Sequence, residues 1–268
     1  MGGSQPTAIA ATVATTDSGG GAGIQADLKS FAACGAYGIS VVVALTAQNT
    51  LGVRAVHGLP LEFVAAQFEA LDADLRPAAT KTGMLYTAAH IELVAQQLAA
   101  LSWGPLVVDP VMVAKSGDRL LEESAVETMR RRLLPLALIV TPNWPEAEVL
   151  SGRPVNSEEE AVEAGLAILE LGPAWVVVKG GHSTGDPADL VITAGEVTRL
   201  GGQRITGRHT HGTGCTFSAA ITAHLARGFP VEQAIERAKE YVTRAIGAAP
   251  GLGSGHGPLE HFPPGWRP

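Results

Sequence analysis

Only two cysteines, Cys34 and Cys215, occur in 268 residues, too few for a disulfide framework, so a reducing compartment is expected. Positive charge is also scarce: 19 Lys and Arg stand against 26 Asp and Glu, a formal net charge of -7 with a pI near 5.6. That balance argues against nucleic acid or an anionic membrane as partner, because an acidic surface gains nothing from counterion release. No apolar run approaches the length of a membrane span. The first basic side chain is Lys29, so the charged start of a secretory signal is missing and the expected address is the cytoplasm. There is no G-x-x-x-x-G-K-[ST], no H-E-x-x-H and no paired C-x-x-C, which sets aside P-loop chemistry and the common zinc sites. Repeats, low-complexity linkers and breaks in composition are missing too, so one domain over 1–268 is expected, with an ordered core over about 8–262 and flexible ends at 1–6 and 263–268.

What is present is an apolar-rich chain, 46% hydrophobic and 17% charged with a mean hydropathy of +0.18, the balance of buried strands covered on both faces. Ala8–Val13, Val41–Ala47, Leu106–Val111, Leu138–Thr141 and Trp175–Lys179 read as such strands. Between them Gln25–Cys34, Leu61–Leu75, Thr87–Leu101, Glu122–Leu134, Ser157–Leu171, Cys215–Arg227 and Val231–Ala248 carry apolar residues at helical spacing, and Ser157 with Glu160 suggests a capping box. Asp189–Thr193 and Glu196–Leu200 read as a late hairpin. Alternating strands and helices mean an α/β fold with a mainly parallel sheet covered on both faces, whose ligands bind beyond the carboxyl ends of the strands.

Two motifs point elsewhere. Gly19 to Ala26 contains G-x-G-x-x-A at the start of a helix, the outline of a dinucleotide fingerprint. Such a site needs an acid at the end of the next strand, and no Asp or Glu lies between Asp27 and Glu62. The glycines serve either close approach of a small ligand or a tight turn. Gly181-His182-Ser183-Thr184-Gly185 fits the G-x-S-x-G elbow of hydrolases, but Asp186-Pro187 and a strand follow where the elbow needs a helix, so a hydrolase using Ser183 is a remote alternative. The pair His209 and His211 reads as a loop feature rather than a metal site.

Gly212-Thr213-Gly214-Cys215 stands directly before a helix, placing unpaired N–H groups where little side-chain bulk shields them, an anion hole or else a plain glycine-rich cap. Asp109 ends one expected strand, and Asn143 and Glu146 follow another; their oxygens suit hydrated magnesium beside phosphates, while Lys179 offers a point charge. Each alone is a strand-end cap or a solvated charge. At one rim together they suggest phosphoryl transfer.

Asp17–Lys29, Ala47-Gln48-Asn49-Thr50, Lys81–Met84, Val113–Asp118, Thr141–Glu146, Val178–His182 and His211–Thr216, in this order and running on to Phe262, resemble the bifunctional hydroxymethylpyrimidine and phosphomethylpyrimidine kinases. The resemblance implies a three-layer α/β/α ribokinase-like fold. It also implies two successive ATP-dependent phosphorylations, first of a hydroxymethylpyrimidine and then of its monophosphate, on the way to thiamin. ATP and Mg2+ are the implied cofactors, and a homodimer the implied assembly. Around the pyrimidine the resemblance sets Gln48, Asp27, Thr15, Gly23, Met84 and Val111, with Gln48 reading the aminopyrimidine and Asp27 holding polar groups. A primary amide suits that task, since it donates to a ring nitrogen and accepts from the neighbouring amine. Asn143, Lys179, Gly181 and Thr213 fall to the nucleotide, and Asp109 and Glu146 to the metal side. Cys215 takes the position of a catalytic base, with Gly212, Thr213 and Gly214 supplying amides; a helix N-terminus draws its thiol pKa toward neutrality while burial pushes the other way, and a small buried hydrophobe is the other reading.

Ala14-Thr15-Thr16-Asp17 departs from the family's Ala-Gly-Ser-Asp or Ala-Gly-Thr-Asp, setting a β-branched side chain near the substrate. Pyridoxal kinases share the fold and the Gly-Thr-Gly-Cys turn, so vitamin B6 is the nearest alternative substrate. A non-catalytic nucleotide binder is a further alternative. Thr50–Pro60 is either a flap over the substrate or a connecting loop.

Overall fold

Strand β1 (Ile9–Ala14) has parallel neighbours on both sides, β2 (Tyr37–Val42) and β5 (Ala79–Thr82), which is why its residues form a buried run rather than an alternation. The computed structural model describes residues 7–112, 122–182, 187–202, 204–205 and 207–268. β6 (Leu106–Val108), β7 (Ile139–Val140) and β8 (Trp175–Val178) continue the sheet in parallel. The antiparallel hairpin of β9 (Asp189–Ile192) and β10 (Val197–Leu200) closes that side, so the order is β10-β9-β8-β7-β6-β5-β1-β2. A separate two-stranded ribbon, β3 (Ala44–Asn49) with β4 (Gly52–Gly58), rises from the end of β2.

Helices α1 (Gly23–Ala33), α7 (Thr213–Ala226) and α8 (Val231–Gly247) cover one face of the sheet around Phe31, Phe217, Ile221 and Tyr241. On the other face α2 (Leu61–Asp72), α3 (Ala88–Ala100), α4 (Glu123–Thr128), α5 (Trp144–Ser151) and α6 (Glu158–Leu169) pack around Phe68, Ile91, Trp103, Leu150 and Ile168. This is the expected three-layer α/β/α fold with a mostly parallel sheet. The winding reverses at β1, which lies between β2 and β5, and a crevice opens there beyond the strand ends.

Several expectations need correction. The run Val41–Ala47 is not one strand: Val43 separates β2, in the main sheet, from β3, in the ribbon. Thr50–Pro60 is largely β4 of that ribbon rather than a connecting loop. Beyond α4 the expected helix to Leu134 tightens and loosens, through a π-turn over Met129–Leu133 and a 3-10 turn over Leu134–Leu136. Ser157 accepts the Glu160 N–H at 3.2 Å, but the Glu160 carboxylate reaches back to the Asn156 N–H at 2.6 Å, so only half of the expected box forms. Residues 263–268, expected to be loose, are tied down: the Trp266 indole donates to the Ala33 carbonyl at 2.9 Å and its ring lies 5.1 Å from Tyr241. Residues 1–6, the Val113–Asp118 stretch and Ser183 lie outside the described residues.

Candidate active site

At the crevice a cavity of about 770 Å3 gathers residues from opposite ends of the chain. Its floor near the middle is the start of α7. Gly212 caps that helix in the left-handed region at φ +81°, and a Cβ there would lie 1.8 Å from the Gly21 carbonyl oxygen, so the two glycine turns pack backbone to backbone. A Cβ on Gly214 would lie 3.1 Å from Lys179 Nζ and 3.7 Å from Asp109 Oδ2, which puts the amides of the first turn directly opposite a cation and a carboxylate. Thr213 turns its hydroxyl onto the Thr210 carbonyl at 2.8 Å and its N–H onto the same oxygen at 3.4 Å.

Lys179, just past β8, has Nζ 3.0 Å from Asp109 Oδ1 and 3.6 Å from Glu146 Oε2. Burial works against its charge, but the two carboxylates outweigh that and hold it protonated. Burial first, and then the nearby Asp109 charge, push Glu146 up to about 7 against the pull of Lys179. Asn143 and Glu146 also form a complete capping box on α5: the Glu146 N–H donates to Asn143 Oδ1 at 2.9 Å and the Asn143 N–H to Glu146 Oε2 at 2.7 Å. The helix that they cap was not expected, although its N-x-x-E signature stands in the sequence. Among the described residues no group of three or more His, Cys, Asp and Glu is placed to hold a metal. Magnesium needs fewer, since it keeps water and phosphate oxygens, and Asp109 Oδ2 is a buried oxygen without a partner among the described residues. A hard acceptor, unpaired among the described residues and beside the glycine-rich turn, fits such an ion.

Cys215 lines the same cavity, and of the two opposing effects on its thiol burial prevails. Burial pushes it up to about 12; Lys81 draws it down, while Asp109 and Asp27 push it further up. The helix N-terminus therefore does not deliver a preformed thiolate. Gly23, at φ +58°, gives its N–H to the Cys215 side and packs tightly enough that a Cβ would lie 2.5 Å from the Thr15 carbonyl oxygen.

Thr15 is 2% exposed and its hydroxyl donates to the Met84 carbonyl at 3.0 Å, so the side chain that departs from the family pattern is turned onto the wall rather than left free in the cavity. Met84, Val111, Gln48 and Gly181 line the cavity as well. Asp27 does not. Fully buried, it takes Lys81 Nζ at 2.8 Å on both oxygens and the Thr12 hydroxyl at 2.7 Å, behind the wall of the site. The expectation that Asp27 holds substrate groups is therefore corrected. Burial pushes its carboxyl up, but three hydrogen bonds favour the ionised pair, and Asp27 in turn lifts Lys81 to about 12.

The cavity also takes in charged and titratable residues that the sequence did not assign to the site, among them Lys81, Asp17 and His211, the last read there as a loop feature. Each stands inside a quoted motif, but nothing local marks its role. Asp17 accepts N–H groups from Gly19 at 2.8 Å, Gly21 at 3.1 Å and Ala22 at 2.8 Å, and its Oδ2 lies 3.0 Å from His211 Nε2. Burial alone would raise its carboxyl; the His211 bond and these amides more than offset that and hold it below the usual range.

A family model described as phosphomethylpyrimidine kinase matches residues 17–260. A hydroxymethylpyrimidine/phosphomethylpyrimidine kinase of Streptomyces coelicolor is 49% identical over 255 residues, covering 95% of this chain and 93% of that protein. The thiamine biosynthesis bifunctional protein ThiED of Geobacter sulfurreducens is 49% identical over 258 residues, 96% of this chain, which spans about half, 53%, of that protein's length. Among solved structures, the ADP complex of Bacillus subtilis pyridoxal kinase superposes with a TM-score of 0.90 at 36% identity, covering 96% of this chain and 98% of that one.

Proposed function

The chain belongs to the phosphomethylpyrimidine kinase family, and on that premise we propose that it transfers the γ-phosphoryl group of ATP to 4-amino-5-hydroxymethyl-2-methylpyrimidine, and then a second to the monophosphate, to make the diphosphate used in thiamin biosynthesis. The observation that carries this reading is the meeting of the α7 turn, Lys179, Asp109 and Gln48 around one cavity.

In the first step the hydroxymethyl oxygen forms a bond to the γ-phosphorus as the bond to the β–γ bridging oxygen breaks, and ADP leaves. The amides of Gly212–Cys215 face the charge spread over the transferring group, and Lys179 compensates the phosphates. A magnesium ion held beside Asp109 and Glu146 would neutralise charge on the β- and γ-phosphates. The transition state is loose, so the hydroxyl proton leaves late, when its oxygen has become acidic. Burial holds the Cys215 thiol protonated, pushed up to about 12, so it takes that proton only as the thiolate, the form that neighbouring Lys81 favours. In the second step the nucleophile is already an anionic phosphate oxygen and needs no base.

ATP as donor is supported by the bound nucleotide of the Bacillus relative. The superposition on a pyridoxal kinase favours a second reading, phosphorylation of pyridoxal in the same cavity; Gln48, an amide matched to an aminopyrimidine edge, supports the pyrimidine instead. Exposed Tyr37 on β2, Leu45 and Leu51 on the ribbon and Phe63 on α2 support a homodimer, and a cytoplasmic address agrees with two free cysteines. No helix among the described residues is long and apolar enough to cross a membrane. One coupled ATP-consumption assay with the hydroxymethylpyrimidine, its monophosphate and pyridoxal tests the reading: turnover of both pyrimidines is expected, and turnover of pyridoxal alone would overturn it.

A further inference from the structure

We propose that Asp17 and His211 are a positioning pair that locks the amide of Gln48 with its NH2 turned into the cavity, so that the site selects rings presenting a bare nitrogen acceptor at that point. The proposal rests on Gln48 facing the substrate ring, as in the function proposed above.

One ring nitrogen of His211 has two polar neighbours. His211 Nε2 lies 3.0 Å from Asp17 Oδ2 and 3.2 Å from the amide atom of Gln48 placed as Nε2, a position that Oε1 takes when the amide is turned over. In any one tautomer a ring nitrogen either donates or accepts, so it cannot give a proton to Asp17 and take one from Gln48. Asp17 decides between the two. With backbone N–H groups from Gly19, Gly21 and Ala22 already on its carboxylate, it is an ionised, acceptor-only group that is 2% exposed. A bare nitrogen facing it would set two lone pairs against each other in a poorly solvated spot, so the proton belongs on Nε2. Gln48 then meets that N–H with Oε1, sharing it with Asp17. A half-turn of the amide exchanges oxygen and nitrogen without changing its shape, so the network sets the choice.

Neither partner is free to move away. The His211 backbone N–H donates to the Gly257 carbonyl at 3.1 Å, and its ring lies so close over Gly21 that a Cβ there would be 2.8 Å from Cδ2. On the other side, the Gln48 backbone is bound twice to the Ser18 hydroxyl, at 2.7 and 2.8 Å. The amide is therefore presented by a fixed backbone to a fixed proton. With one Oε1 lone pair engaged, the NH2 group faces the ligand's ring nitrogen and the second lone pair is left for an adjacent amine. An aminopyrimidine edge satisfies both and a pyridine nitrogen only the first; a ring edge carrying N–H sets donor against donor, the mismatch that buried polar sites reject most strongly.

The test is a double-mutant cycle on the full chain with His211→Ala, Gln48→Ala and the double variant, measuring KM and kcat for the hydroxymethylpyrimidine and KM for ATP. We expect each single substitution to raise the pyrimidine KM about tenfold, the scale of one lost oriented hydrogen bond. The double variant is expected to be no worse than Gln48→Ala alone, and the ATP KM to stay within about twofold. His211→Gln, which returns a side-chain N–H donor, is expected to recover part of the loss. Additive effects, or a His211→Ala variant that lowers kcat and raises both KM values together, would overturn the pairing. Should the wild type turn over pyridoxal but no pyrimidine, the function proposed above falls while the same cycle, run on the pyridine nitrogen, still decides this one.

Discussion

Lys81→Met is the sharpest perturbation of this fold, because it removes the cation from a pair in which both side chains have no exposure at all. Lys81 Nζ lies 2.8 Å from each Asp27 oxygen, and among the described residues the one further hydrogen bond on that carboxylate is from Thr12 at 2.7 Å. The variant strands a carboxylate that must either stay charged in a dry site or take up a proton. Breaking a buried pair from one side costs about 3–5 kcal/mol. At about 2–4 °C per kcal/mol for a domain near this size, that is a fall of roughly 6–20 °C in Tm. Lys81→Met/Asp27→Asn removes both charges and keeps an acceptor for Thr12, so most of the loss should return. The assay is urea unfolding of wild type, both single variants and the double, with equal slopes required before midpoints are compared. A single-variant loss under about 1 kcal/mol, or a double variant as unstable as the sum of the singles, would refute the reasoning. Folding and catalysis should separate in the double variant. Lys81 is the cation that draws the Cys215 thiol down, so stability returns while the first phosphorylation stays slow.

Cys215→Ala should slow phosphorylation of the hydroxymethylpyrimidine roughly 10- to 100-fold, at or below the low end for a general base, and the monophosphate step by less than about threefold, read by separate initial rates. Equal losses in both steps would remove Cys215 from the base role. Lys179→Ala should raise the KM for ATP about tenfold with the pyrimidine KM unchanged, and should also lower Tm because Asp109 and Glu146 lose their shared cation. Unchanged ATP kinetics would refute its placement on the nucleotide. In acid, His224 and His261 should destabilise the protein. Burial lowers both from 6.5 to about 4, and both ring nitrogens of His224 lack partners among the described residues. The unfolded chain binds these protons first, so stability is full above pH 6.5 and is lost as pH falls toward 4, by about 3 kcal/mol per histidine. His224→Leu should flatten the urea-midpoint profile over that window, and an unaltered slope would count against it.

The parts of this protein legible from its sequence are those whose signal is local. Buried apolar runs announced β1, β6, β7 and β8; helical spacing announced α1–α3 and α6–α8; and the late hairpin stood out between its turn residues. The four-residue strand β5 was invisible for the opposite reason. Its sequence, Ala-Thr-Lys-Thr, reads as polar, yet all four residues are buried, because Thr80 finds the Trp103 carbonyl at 2.9 Å and Lys81 finds Asp27. Those partners lie 23 and 54 residues away, beyond any window of hydrophobic periodicity.

Alone, the sequence determined most of the alternation of strands and helices, and with it a layered α/β fold, the family resemblance and the glycine-rich turn before α7, since each follows from neighbours along the chain. Only tertiary structure decided that Asp27 turns inward to Lys81, that burial lifts the Cys215 thiol rather than releasing its proton, and that Asp17 and Gln48 converge on His211 across 194 and 163 residues. The physical reason is that a charge or a proton takes its state from what surrounds it in space, and the chain brings those surroundings together only when it folds.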